Sequence, residues 1–230
     1  MAKTTSPALL FDLDGTLIDS VYQHVMAWRA ALETIGLPLS QWRIHRKIGM
    51  SGGLIASAVT RETGRPLTIA DRDRLQRLHT EEYMKNVAQV RPLPGAVELL
   101  ERLTKASVPW TIATSSPMDR ARVSFDSLGV GPNIPVVTRD QVEHGKPDPD
   151  LFLKGAERLG VDIAHCIVVG DSVWDLLAAR RAGALGVGLL SGGYAREELV
   201  QAGAYRVYDD PADLMRYLDE IGIRLTLPAS

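Results

Sequence analysis

From Arg91 onward the chain alternates short apolar runs with helical stripes, and this alternation restricts the fold more than any other feature. After the punctuation Arg91-Pro92-Leu93-Pro94-Gly95, the residues Ala96, Leu99, Leu100 and Leu103 recur at helical spacing, and Val108 to Ala113 reads as a strand. A helix near Asp119 to Leu128, a short strand Pro135 to Thr138, a strand Ile163 to Val169 and a helix after Asp175 follow. A strand near Gly186 to Leu190, a helix from Arg196, a strand near Arg206 to Tyr208 and a helix from Pro211 complete the series. In the loop Gly145-Lys146-Pro147-Asp148-Pro149, Asp148 is placed to cap a helix and Pro149 to occupy its first turn. Strands joined by helices become parallel neighbours through right-handed crossovers. The predicted class is therefore α/β: a Rossmann-like parallel sheet flanked by helices, with ligands bound outside the carboxyl ends of the strands.

What stands at those strand ends is polar. The first strand, Leu9-Leu10-Phe11, runs into Asp12-Leu13-Asp14-Gly15-Thr16, and residues two apart on extended chain face the same side. Two carboxylates so placed share a proton, bind a metal or find a basic partner. The plainer alternative is an ordinary Asp-Gly turn with one carboxylate in solvent. Thr114 and Ser115 end a second strand and Asp171 a third, while Lys146 lies in a loop on the same side. All converge on one crevice. Ionised Asp12, Asp171 and Asp175 would crowd three negative charges into that crevice, so a divalent cation is required, and oxygen-only ligands point to Mg2+.

Between Asp19 and Arg91 no strand is evident. Val21, Val25, Trp28, Leu32 and Ile35 form one helix face, started by Asp19 or Ser20 and ended by Gly36. Further helices are predicted over Leu54 to Thr63 and Ala70 to Lys85. This divides the chain into a core, residues 1–19 and 91–230, and a smaller all-helical cap domain, residues 20–90. From Ser20 to Val90 the formal charge is +4, against −6 for the rest. A positive lid over an acidic floor suits an anionic substrate.

A net charge of −2 gives no basic field for nucleic acid. The single cysteine, Cys166, lies in the apolar run Cys166-Ile167-Val168-Val169 and reads as a small buried side chain. The apolar run that leads into Asp12 is only four residues, Ala8 to Phe11, too few for a signal-peptide core, and no apolar stretch is long enough to span a bilayer. The expected location is cytoplasmic, without a membrane partner.

These residues resemble the haloacid dehalogenase-like superfamily of phosphohydrolases. Asp12-Leu13-Asp14-Gly15-Thr16 is similar to its first motif, Thr114 to its second, Lys146 before Pro147 to its third, and Gly170-Asp171 through Asp175 to its fourth. The helical insertion after the first motif looks like the family's cap. The resemblance implies Mg2+ held by the Asp12 carboxylate, the Asp14 backbone carbonyl and the Asp171 carboxylate, with Asp175 behind them. It implies Asp12 as a nucleophile forming an aspartyl-phosphate. Lys146, the Thr114 hydroxyl and the Ser115 amide would bind the phosphoryl oxygens. Asp14, desolvated beside another carboxylate, is expected to have a raised pKa and to serve as acid and then base.

For the cap, the expected substrate contacts are His24, Arg46, Lys47 and Gly49, in or near a basic segment leading to glycines; His24 also reads as a packed residue on the first helix. The function implied is a Mg2+-dependent phosphatase for a small phosphorylated metabolite, of phosphoglycolate or sugar phosphate type, working as a monomer or weak homodimer. A sugar phosphomutase comes second, because such mutases carry an arginine where this chain has Gly52. A non-catalytic phosphate-binding protein is third. Dehalogenation is disfavoured, since those relatives lack the second aspartate.

Overall fold

The first strand, β1 (Ala8–Phe11), is fully buried in the middle of a parallel sheet, as an uninterrupted apolar run in a sheet covered on both sides must be. The structure, a computed structural model, describes residues 7–225. After β1 come β2 (Ile18–Asp19) and the helices α1 (Val21–Thr34), α2 (Gln41–His45), α3 (Gly52–Thr63) and α4 (Ile69–Asn86). The chain returns through β3 (Arg91–Pro92), α5 (Ala96–Lys105), β4 (Trp110–Ala113), α6 (Met118–Ser127) and β5 (Val136–Val137). It then runs α7 (Asp150–Leu159), β6 (Cys166–Gly170), α8 (Val173–Ala182), β7 (Leu185–Leu189), α9 (Arg196–Ala202), β8 (Ala204–Tyr208) and α10 (Pro211–Arg216).

The sheet order is β5-β4-β1-β6-β7-β8, every pair parallel. The chain moves outward on one side of β1, then crosses back to build the other side, so β1 and β6 flank the point where strand order reverses. Alternate residues of β1 serve opposite faces. Leu9 and Phe11 pack with Leu99, Phe125 and Leu214. Ala8 and Leu10 pack with Leu151, Phe152 and Ala178. Register then sets the site: Phe11 lies beside both Ile112 and Val169, so the chain leaves β1, β4 and β6 side by side at Asp12, Thr114 and Asp171.

The helical insertion has its own apolar cluster, including Val25, Trp28, Leu32, Ile44, Ile55, Val59 and Leu75. Its exit and return are joined by antiparallel pairing of Ile18 with Pro92 and Asp19 with Arg91. That two-residue ribbon is too short to leave a periodic signal in the sequence. The five-residue α2 was not foreseen for the same reason, and α3 begins at Gly52 rather than Leu54.

Two local expectations are corrected. Residues 163–165 form a 3-10 turn, capped by the Asp162 side chain on the Ala164 amide at 3.1 Å, so β6 starts only at Cys166. Asp148 does not cap α7; Pro149 holds the N-cap position, and Asp148 instead accepts from Arg181. Cys166 is buried, and burial followed by the charge of Asp162 pushes its thiol up to about 11. No helix among the described residues is long and apolar enough to cross a membrane.

Candidate active site

Asp12, Asp171 and Asp175 are each 3 % exposed or less, and one ligand atom of each lies within 4.8 Å of the others. Lys146, fully buried, ion-pairs with Asp12 and sits 2.8 Å from Asp175. Its ammonium also rests 4.9 Å from the Phe152 ring centre. Burial alone would lower the lysine, but Asp12 and Asp175 outweigh it and hold the ammonium charged. Three carboxylates against one ammonium leave the pocket short of positive charge. Burial, together with the charges of Asp175 and Asp14, pushes Asp12 up to about 7 against the pull of Lys146. Burial and then Asp175 and Asp12 push Asp171 well above the carboxylate range. A buried, all-oxygen set of three carboxylates with one ammonium to balance it fits a divalent metal ion.

The three carboxylates are not equally free. Asp175 Oδ2 accepts from the Ser172 amide at 3.1 Å and its hydroxyl at 2.6 Å, a capping box that starts α8, while Oδ1 faces Lys146. Asp175 is therefore committed to the helix and the lysine. Asp171 Oδ1 accepts from Thr16 at 2.7 Å. Its other oxygen is pressed against Gly192, where an added Cβ would stand 1.9 Å from it. Gly192 is thus needed for close approach.

Asp14 departs from expectation. Its carboxylate accepts from Ser20 Oγ at 2.7 Å and Ser116 Oγ at 2.9 Å, and stands 3.2 Å from His24 Nε2. Burial alone would raise it, but His24 and the two hydroxyls hold it well below the usual carboxylate range. The raised pKa expected for Asp14 belongs instead to Asp12. The reason is orientation: Asp14's carboxyl finds donors on α1 and on the β4–α6 loop. Ser20, at the N-cap of α1, makes no side-chain cap bond and gives its hydroxyl to Asp14 instead.

His24 continues a chain of contacts. Its Nδ1 lies 3.1 Å from His79 Nε2, and His79 Nδ1 lies 3.2 Å from Arg120 Nη1. A guanidinium only donates, so His79 Nδ1 accepts; burial, Arg120 and His24 push His79 well below its ordinary value, so its one proton is on Nε2. His24 Nδ1 faces that nitrogen, and His24 Nε2 faces the Asp14 carboxylate. Tyr83 stacks on His24 and Trp28 on His79, each with centroids 4.1 Å apart. Sequence reading missed Ser20, Ser116, His79 and Arg120. One signal existed: Leu75, His79 and Tyr83 recur every four residues along α4 and are its buried stripe.

Thr114 is buried and its hydroxyl accepts from the Ser116 amide at 3.0 Å; Ser115 Oγ donates to the Gly49 carbonyl at 3.2 Å. Gly49 has φ +94°, and an added Cβ would meet Ser172 Oγ at 2.5 Å, so only glycine fits this contact between cap and core. Arg46 and Lys47 are directed away from the catalytic floor. Arg46 pairs with Glu198, stands 4.1 Å over the Tyr194 ring, and offers its carbonyl to Trp174 Nε1 at 3.2 Å and Tyr194 Oη at 3.1 Å. His45 Nε2 donates to the Gly192 carbonyl at 2.8 Å. Lys47 pairs with Glu62 within the insertion and donates to the Arg43 carbonyl at 3.0 Å. In the basic segment that was expected to contact substrate through Arg46 and Lys47, Arg46 and His45 clasp the insertion to the core, whereas Lys47 is tied within the insertion.

Beside Asp14 opens a cavity of about 620 Å³, between the insertion and the β4–α6 loop, with His24, Trp28, Met50, Ser115 and Arg120 in its walls.

The haloacid dehalogenase-like hydrolase family profile matches residues 7–183. Hexitol phosphatase A of Escherichia coli is 35% identical over 76% of this chain and 78% of its own length. Phosphoglycolate phosphatase of Rhodospirillum rubrum is 32% identical over 92% of this chain and 90% of its own. A hydrolase from Pseudomonas syringae has a crystal structure that superposes with a TM-score of 0.93 at 53% identity, covering 95% of this chain and all of that one. The chain belongs to the haloacid dehalogenase-like hydrolases and, with the named phosphatases among its relatives, is a phosphoric monoester hydrolase.

Proposed function

We propose that the protein is a Mg2+-dependent phosphatase that hydrolyses a small phosphorylated metabolite, of phosphoglycolate or sugar phosphate type, through an aspartyl-phosphate on Asp12. The observation that carries this reading is the meeting of Asp12, Asp171, Asp175 and Lys146 in one buried cluster at the carboxyl end of the sheet. Asp12, Asp171 and the Asp14 backbone carbonyl would hold Mg2+, which when bound neutralises charge on the transferring phosphoryl group. Lys146, the Thr114 hydroxyl and the Ser115 amide stabilise the remaining phosphoryl oxygens.

An Asp12 oxygen attacks phosphorus, the bond from phosphorus to the ester oxygen breaks, and that oxygen takes a proton from Asp14. Asp14 then accepts a proton from water as the water oxygen attacks phosphorus, releasing phosphate and restoring the Asp12 carboxylate. Asp14 is held ionised in the free enzyme, but an arriving phosphate dianion raises the pKa of a neighbouring carboxylate, which suits it to carry that proton. Residues 20–90 act as the lid of this site, closing over residues 1–19 and 91–230. Hydrolysis is favoured over mutase chemistry by Gly52, which lines the cavity without a cation.

Release of phosphate from an aryl phosphate should require Mg2+ and stop with chelator. In Asp12→Asn it should fall to background, and turnover of that variant at the wild-type rate would sink the nucleophile assignment.

A further inference from the structure

We propose that the cavity beside Asp14 receives the leaving group and that Arg120 in its wall reads a carboxylate on it, so that the substrates are phosphorylated carboxylic acids. This rests on the phosphatase reading above, which puts the ester oxygen next to Asp14.

Arg120 is a cation given only neutral partners. Nη1 donates to His79 Nδ1 and Thr80 Oγ1, each at 3.2 Å, and Nη2 reaches Ser116 Oγ at 3.5 Å. Nε is buried and has no partner. Among the described residues no carboxylate lies within ion-pair distance of this guanidinium, although it is enclosed against His79, Thr80 and Ser116. A buried donor without an acceptor costs about 1–3 kcal/mol, and a desolvated charge costs more. An occupant that supplies the acceptor removes that cost.

The geometry selects the occupant. Nη1 is saturated by its two acceptors, so the spare hydrogens lie on Nε and Nη2. These form one edge of the planar guanidinium, the edge that takes both oxygens of a carboxylate side by side. The nearby anion does not take this edge: the Asp14 carboxylate already accepts from Ser20 and Ser116 and stands beside His24. The cavity's other charged walls do not compete for this role. Arg77 and Asp73 are exposed at the rim, Arg139 is tied to the carbonyls of Val142 and Glu143, and Asp140 accepts from the Met118 amide.

Two matched pairs of probes test this: 6-phosphogluconate against sorbitol 6-phosphate, and phosphoglycolate against 2-hydroxyethyl phosphate. Within each pair only the carboxylate is exchanged for an alcohol. A charge-assisted bond contributes about 1.5–3 kcal/mol, so kcat/KM should favour the carboxylated member by about 10–100-fold in at least one pair. The ratio, which is insensitive to overall loss of activity, should collapse toward one in Arg120→Met and recover in part in Arg120→Lys. A wild-type ratio at or below one in both pairs overturns the proposal, as does a preference retained in Arg120→Met. Binding of the same probes to Asp12→Asn by calorimetry reads the preference without turnover, so wild-type protein inactive on an aryl phosphate with Mg2+ would count against the phosphatase reading, and equal binding of the paired probes against the subsite.

Discussion

Two groups of carboxylates stand a few residues apart in this site and are treated in opposite ways. On the floor, Asp12, Asp171 and Asp175 share one lysine and lack positive charge. On the wall, Asp14 has two hydroxyls and a histidine to itself. Burial is common to both, so burial does not explain the difference. Donors do: a desolvated carboxylate keeps its charge when each oxygen has a donor, and takes up a proton or a metal ion when it does not. Two aspartates of one motif thereby acquire different chemistry. The floor is suited to a cation and a nucleophile, the wall to moving one proton.

The largest effect that separates the two should come from Asp14→Asn. It removes proton transfer while leaving the floor intact, so turnover should fall by about 10²–10⁴-fold while Asp12 still becomes phosphorylated. Rapid-quench detection of the phosphoenzyme checks this, and fast dephosphorylation would count against the acid-base role. Next is Lys146→Met, which leaves buried carboxylates without their cation. Such a loss costs about 3–5 kcal/mol, so thermal or urea unfolding should show a strong destabilisation, relieved in part by saturating Mg2+. An unaltered midpoint without metal would mean that the lysine does not hold the floor together.

The pH dependence of stability should differ in sign between the two regions. Asp12 is raised from 3.8 to about 7, so without metal the folded chain binds that proton more tightly than the unfolded chain, and stability falls as pH rises through this window. His79 lies well below 6.5 when folded, so its contribution is complete above 6.5 and is lost as pH drops below it. Stabilisation by Mg2+, read from urea midpoints, should accordingly be larger near pH 8 than near pH 5, and Asp12→Asn should lose part of that difference. The smallest effect is expected from Glu198→Gln. Its pair with Arg46 is more than a third exposed, so stability should change by no more than about 1 kcal/mol, and the ratio of kcat/KM between substrates should stay as in wild type. A changed ratio would return Arg46 to the substrate.

The parallel sheet was legible in the sequence because periodicity is local. Leu9 to Phe11, Trp110 to Ala113 and Cys166 to Gly170 are each too short and too apolar to be anything but buried strands between helices. The polar residue after each strand was legible for the same reason, and so Asp12, Thr114 and Asp171 could be named in advance. Boundaries were less secure at Ile163, where a 3-10 turn reads like a strand by composition.

What a side chain does at the end of a loop depends on partners far away in the chain, and that only the tertiary structure decided. Arg46 lies among glycines and other basic residues, which in sequence suggested a substrate arm, yet its partner Glu198 is 152 residues further on. Asp14 was expected to have a raised pKa because another carboxylate stands two residues away, yet its state is set by Ser20 and His24 at α1 and by Ser116 in the β4–α6 loop. His79 and Arg120 carried no motif at all and meet through a side-chain contact that bridges α4 and α6. Periodicity and strand ends are properties of a few consecutive residues and survive in the sequence; the protonation of Asp14 and the free edge of Arg120 are properties of contacts, and exist only once the helical insertion has closed on the sheet.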